Sequence, residues 1–171
     1  MKINAHILLF ILLPALLVVG GSDPAAEEKF DVRSLEGDWE GTGEFIVPVT
    51  GMTMSVEGRA RFEYDSLGDF LRTAMVGEKY FFTYSDSGHL VHNTRTDSVS
   101  WEVWDNFGKH ALYYGEVDGS SIRADRYRKK DLYRVRINLV NADSIDFKLT
   151  ITTPQGEVID KASFNLWRVR N

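Results

Sequence analysis

The stretch Leu35-Glu36-Gly37-Asp38-Trp39-Glu40-Gly41-Thr42-Gly43-Glu44-Phe45 decides the fold. Its alternate residues Trp39, Gly41, Gly43 and Phe45, continued by Val47, fall on one face, and Glu40, Thr42 and Glu44 fall on the other. A period of two with a polar outer side is the pattern of a half-buried β-strand. The glycines lie on the apolar side, where a missing side chain permits a bend or the close approach of another segment. The next run repeats the pattern more clearly. Met52, Met54, Val56, Gly58, Ala60, Phe62 and Tyr64 alternate with Thr53, Ser55, Glu57, Arg59, Arg61 and Glu63, two faces that no helix would separate.

From there turns and strands alternate to the end of the chain. Asp65 to Gly68 reads as a turn, and Phe70 to Val76 and Lys79 to Ser85 read as strands around Gly77-Glu78. Asp86-Ser87-Gly88 has the composition of a hairpin turn, as has Asp118-Gly119. Leu90 to Thr96, Val99 to Trp104, His110 to Val117, Ile122 to Arg128, Tyr133 to Val140, Ile145 to Thr153 and Val158 to Val169 complete the set. Every connection is short enough for an antiparallel hairpin, and no long helix, linker or repeat intervenes. About ten strands in such a meander are best closed into an all-β, up-and-down antiparallel barrel, which removes the exposed edges that invite aggregation. A β-sandwich is the rival architecture. A transmembrane barrel fits poorly, because Glu57, Arg59, Arg61 and Glu63 occupy the face where lipid requires an apolar band.

The first residues carry a different message. Lys2 precedes an apolar run from Ile7 to Val19, broken only by Pro14 and followed by Gly20, Gly21 and Ser22. That is the anatomy of a secretory signal peptide. The expected organisation is a signal peptide over 1–21, a spacer over 22–34 with a short helix or turn from Phe30 to Leu35, and one barrel domain over 35–171. The expected location is secreted or periplasmic. With no cysteine in the chain, there is no lipid attachment at a cysteine, no disulfide and no thiolate chemistry. The formal net charge is −5 and becomes −6 without Lys2, the one charged residue of 1–21. An acidic balance argues against nucleic acid as a partner. No stable membrane insertion of the mature chain is expected, and the oligomeric state is not legible.

Gly37-Asp38-Trp39 on the first strand, with Arg168 or Arg170 on the last, resembles the calycin superfamily of lipocalins and fatty-acid-binding proteins. The resemblance implies that Trp39 packs at a closed end of the barrel with a basic side chain laid across it, so that Gly37, Trp39 and Arg168 close the structure. The longer run from Leu35 to Gly43 is similar to a calycin-like bacterial family of unknown function, DUF1579, and to nitrobindin, a haem-binding barrel. The nitrobindin resemblance implies an iron-ligating histidine near the start of the final strand. Here that stretch is Val158-Ile159-Asp160-Lys161-Ala162-Ser163-Phe164, which contains no usual axial ligand, so no cofactor is expected.

Nucleophile elbows, metalloprotease motifs and phosphate-cradling glycine loops are missing from the sequence, and no metal site is expected. His89 and His92 are three apart, which on a strand puts them on opposite faces; both read as surface or rim residues, and His110 as exposed. Asp86, Asp118, Asp131 and Asp143 read as turn formers. No catalytic residue is assigned. The inward face of the barrel offers the better candidates: Met54, Phe62 and Tyr64 on the second strand, Trp101, and Phe147 near the end. Met52, Val56, Val99, Val103, Tyr133, Val135, Ile137, Leu139, Ile145, Leu149 and Ile151 extend the same faces. Tyr80 and Tyr84 are candidates for a cavity mouth. Arg72 and Arg95, if turned inward, would need an anionic partner, because a lone buried charge is costly. The function expected is an exported barrel that binds a small, largely apolar or amphipathic molecule without catalysis of its own. The alternatives are an isomerase or hydrolase using the cavity, and a filled barrel serving a structural or interaction role.

Overall fold

The computed structural model describes residues 30–47, 50–80 and 82–170. The expected signal peptide and most of the spacer lie outside the described residues. A 3-10 helix, Val32–Leu35, precedes ten described strands: β1 Gly37–Ile46, β2 Thr53–Asp65, β3 Phe70–Lys79, β4 Phe82–Asn93, β5 Ser98–Asp105, β6 His110–Asp118, β7 Ser121–Arg128, β8 Asp131–Asn141, β9 Ser144–Thr152 and β10 Val158–Arg168. Each pairs antiparallel with its sequence neighbours, and β1 closes the barrel on β10, from Trp39↔Arg168 to Phe45↔Ala162. The all-β, up-and-down barrel read from the sequence is the architecture observed. No described helix is long and apolar enough to cross a membrane.

One end is plugged. Val32 and Leu35 of the 3-10 helix are buried with Trp39, Phe62, Leu71, Leu90, Ile122, Ile145 and Leu166. The Trp39 indole N–H donates to the Leu35 carbonyl at 2.8 Å. Across the indole lies Arg168, its guanidinium carbon 4.2 Å from the ring centroid. Its Nη2 donates to Ser34 O at 2.8 Å, its Nε to Ala142 O at 3.0 Å, and its Nη1 to Glu36 O. Gly37 has φ +130°, and a Cβ there would meet Arg168 Nη1 at 2.8 Å. The tryptophan–arginine contact is therefore made by Arg168; Arg170 instead bonds Asp143 at the surface.

At mid-height the interior is filled by aromatic rings in edge contact. Trp101 to Phe147 is 6.5 Å and Phe147 to Phe164 is 6.0 Å between centroids. The Phe164 ring fits against Gly43 and Gly58, where added Cβ atoms would collide with it. Two strands thus yield side-chain space to one ring, which is what the glycines on the apolar face of β1 and β2 provide.

The strand boundaries differ from the sequence reading in one region. Gly77-Glu78 is not a turn: β3 runs on to Lys79, and the chain reverses after Tyr80, whose φ is +51°. Asp86-Ser87-Gly88 is not a hairpin either: β4 passes straight through it. Gly88 sits on the inner face, where a Cβ would strike the Glu102 carbonyl oxygen. The glycine serves close strand approach rather than chain reversal. Met52 lies before β2 and is exposed.

Candidate functional site

The half of the barrel away from Trp39 has two unlike walls. On the inner faces of β4 to β8 stand Tyr84, Asp86, Asp105, Tyr113, Arg126 and Tyr133, in phase with buried Leu90, Val99, Trp101, Ile122, Ala124 and Val135. Opposite them, β9, β10, β1 and β2 bring Leu149, Ile151, Ile159, Ala162, Phe45 and Met54, linked by the register pairs Ile159↔Ile151, Ala162↔Leu149 and Phe45↔Met54. Phe45 stacks on Phe82 with centroids 4.8 Å apart, from β1 to the start of β4.

The polar wall is not internally satisfied. Asp86 Oδ1 and Arg126 Nε are buried and have no hydrogen-bond partner. Burial pushes the Asp86 carboxyl up to about 7, helped by the Asp105 charge and opposed by the Tyr84 hydroxyl. Burial raises Tyr84 strongly as well, with the Asp86 and Asp105 charges adding to it. Tyr113 is raised by burial against the lowering influence of Arg126. The Arg126 guanidinium lies over two phenol rings, 5.0 Å from the Tyr113 centroid and 4.8 Å from that of Tyr133. Chemically, this wall offers a cation, a carboxyl able to carry its proton near neutral pH, and phenols.

The sequence candidates divide cleanly by position. Phe62, Trp101 and Phe147 are interior, with the Trp101 N–H donating to Thr73 Oγ1 at 3.1 Å. Met54 and Tyr84 belong to the open half. Tyr64 lies towards the plugged end, where its hydroxyl donates to Asp69 at 2.7 Å and Arg33 covers its ring. Arg72, Tyr80 and Arg95 do not line the interior. Arg72 points outward and holds Asp65, Tyr80 is 92% exposed at the β3–β4 reversal, and Arg95 is exposed in the turn after β4. All three lie where solvent or a surface carboxylate carries the polar group at no desolvation cost.

The interior residues missed were Asp86, Arg126 and Tyr113. The run Phe82, Tyr84, Asp86, Gly88, Leu90 has the strand period, and Arg126 continues Ile122 and Ala124. His92, expected at a rim, is also interior, with its side chain only 2% exposed. It borders a cavity of about 160 Å³ beneath the 3-10 helix, together with Asp31, Tyr64 and Asp69. Such a space holds water readily. No cluster of three or more metal-ligating side chains occurs among the described residues.

Fold and interior together define a class, the closed ten-strand antiparallel barrel, consistent with a calycin-like barrel. Known structures of similar build include Rv2717c from M. tuberculosis, 17% identical over 80% of this chain and 94% of that one, with a TM-score of 0.60. The S-type phycobiliprotein lyase CPES from Guillardia theta is 10% identical over 81% of this chain and 90% of its own, with a TM-score of 0.57. A protein of unknown function from the DUF3598 family of Nostoc punctiforme is 13% identical over 87% of this chain, with a TM-score of 0.54; this chain spans 53% of that protein. At such identities the likeness is one of fold. No protein-family model matches the chain, and no curated protein matches it in sequence.

Proposed function

We propose that this protein is an exported barrel that binds a small, largely apolar molecule in the half of its interior away from Trp39. The observation that carries the reading is the pair of buried, unpartnered atoms, Asp86 Oδ1 and Arg126 Nε. A buried polar group without a partner costs about 1–3 kcal/mol, a cost that the polar group of a bound molecule on that wall would offset. The apolar wall from Phe45 to Ile159 supplies the complementary surface. A lining of this kind, mainly apolar with a few convergent polar groups, is the usual form of small-molecule sites.

The test is titration with the neutral fluorophore N-phenyl-1-naphthylamine. Saturable one-to-one binding is expected, weakened by Ala162→Phe, which fills the apolar wall, and unchanged by Trp167→Ala on the outer surface. Unsaturable binding, or equal loss in both variants, contradicts the reading. Export rests on the pattern of residues 1–22 and predicts a mature N-terminus close to Ser22, read by intact mass of secreted material. The similarity of Leu35 to Gly43 to the DUF1579 family supports kinship at the level of that motif.

Asp86 favours a second reading. A carboxyl near 7 beside the Tyr84 hydroxyl has the properties of a general acid or base. An activity lost in Asp86→Asn, with a pH profile turning near 7, would move the protein among the enzymes.

A further inference from the structure

The ladder between β6 and β7 is incomplete. It runs from Asp118↔Ser121 to Tyr114↔Asp125 and stops. Beyond that point β6 stays paired with β5 through Trp101↔Tyr113, Val103↔Ala111 and Trp104↔His110. Likewise β7 stays paired with β8 through Arg126↔Tyr133 and Arg128↔Asp131. Each strand keeps its outer neighbour while the seam they share opens. A cavity of about 350 Å³ occupies the opening, a size in the usual range for small-ligand sites.

The seam is basic on an otherwise acidic protein. Lys109, His110, Arg126 and Arg128 line the cavity, and no carboxylate does. His110 is held from the outer side by Glu102 at 2.7 Å, which leaves three cations to define the field. Arg126 differs from the outward-facing arginines that hold carboxylates. Arg72, Arg123 and Arg134 each hold a carboxylate, whereas Arg126 makes no ion pair among the described residues. Its guanidinium lies over the Tyr113 and Tyr133 rings, and its buried Nε–H has no acceptor. A guanidinium is a planar fork that matches the oxygens of a carboxylate or phosphate, and a buried donor without an acceptor is costly.

We propose that the seam between β6 and β7 is the ligand's way into the barrel and that Arg126 seats an oxyanion there. The bound molecule is then an amphipathic acid: a carboxylate or phosphate head on Arg126, with an apolar body reaching towards Leu149, Ile151 and Ala162. This rests on reading the open half as the binding site. Lys109 and Arg128, nearer the surface, draw the anion in and fall under salt screening, while Arg126 acts at short range.

The purified protein should be titrated calorimetrically with decanoate, decyl phosphate and 1-decanol. At least one of the two anions should bind one-to-one and about tenfold or more tighter than the alcohol, and the better of the two identifies the head group. Arg126→Gln should abolish that preference while leaving 1-decanol binding unchanged, and Arg126→Lys should restore part of it. The double variant Lys109→Gln/Arg128→Gln should weaken anion binding at low salt and match the parent at high salt. Equal binding of all three ligands, or an anion preference that survives in Arg126→Gln, overturns the proposal and leaves the binding cavity standing. Failure of all three ligands to bind overturns the cavity as well. If Arg126→Gln does not fold, the double variant decides: anion affinity unchanged at low salt would overturn the proposal.

Discussion

At the plugged end Arg168 lies on the Trp39 ring and gives its N–H groups to the carbonyl oxygens of Ser34, Glu36 and Ala142. In the open half Arg126 lies on the rings of Tyr113 and Tyr133 with its Nε–H unbonded. Both are arginines on the barrel's inner face, each against aromatic rings, and their polar accounting is opposite. Where each of the three guanidinium nitrogens donates to a backbone carbonyl, the arginine is part of the closure and its removal strands carbonyl groups. Where a donor is left over, the arginine keeps capacity for one more acceptor.

The strongest way to break the comparison is at the plug. Trp39→Ala should lower stability by about 3–5 kcal/mol, the range for a large buried aromatic, read from denaturant melts; a loss under about 1 kcal/mol would mean that the plug is not what closes the barrel. Next in size is Asp86. Its folded carboxyl titrates at about 7 against an ordinary 3.8, so the native state binds the proton more tightly than the unfolded chain. Stability from this group is present below about pH 4, falls as pH rises, and the penalty is complete above about 7. Asp86→Asn should therefore match the parent near pH 4 and exceed it by up to about 3–4 kcal/mol at pH 8. A difference that shrinks with rising pH would contradict the burial of this carboxyl.

Two smaller effects sharpen the contrast between the arginines. Arg168→Lys keeps the charge but loses the fork, and should cost about 1.5–3 kcal/mol through carbonyls left without donors. Arg126→Met, which removes a half-buried cation with no carboxylate partner and keeps the apolar stem, should change stability by less than about 1 kcal/mol in either direction. Equal costs at the two sites would erase the distinction.

The plug was legible in the sequence because β1 and β2 alternate charged and apolar residues, and because Trp39, Gly37 and Arg168 resemble a known closure. The open half was not, for a physical reason. Asp86-Ser87-Gly88 has the composition of a turn, yet Gly88 is there because the Glu102 carbonyl approaches too closely for a Cβ. Reading it as a reversal took Asp86 off the inner face and broke one long strand into two. Composition also cannot say which arginine of a barrel turns inward. Arg72 and Arg95 stood beside apolar neighbours, but the face that Arg72 shares with Phe70, Ala74 and Val76 is the outer one. Arg126, between Asp125 and Tyr127, was not among the candidates, although its phase with Ile122 and Ala124 marks it as interior.

The central claim is that the open half of this barrel holds a molecule, and native mass spectrometry of the protein isolated from its source tests it most directly. The account predicts one small molecule bound per chain, extractable into organic solvent, apolar in its bulk, and absent from protein carrying Ala162→Phe. A chain that flies at its bare mass under conditions that preserve the fold, and that shows no extractable compound above background, would contradict it.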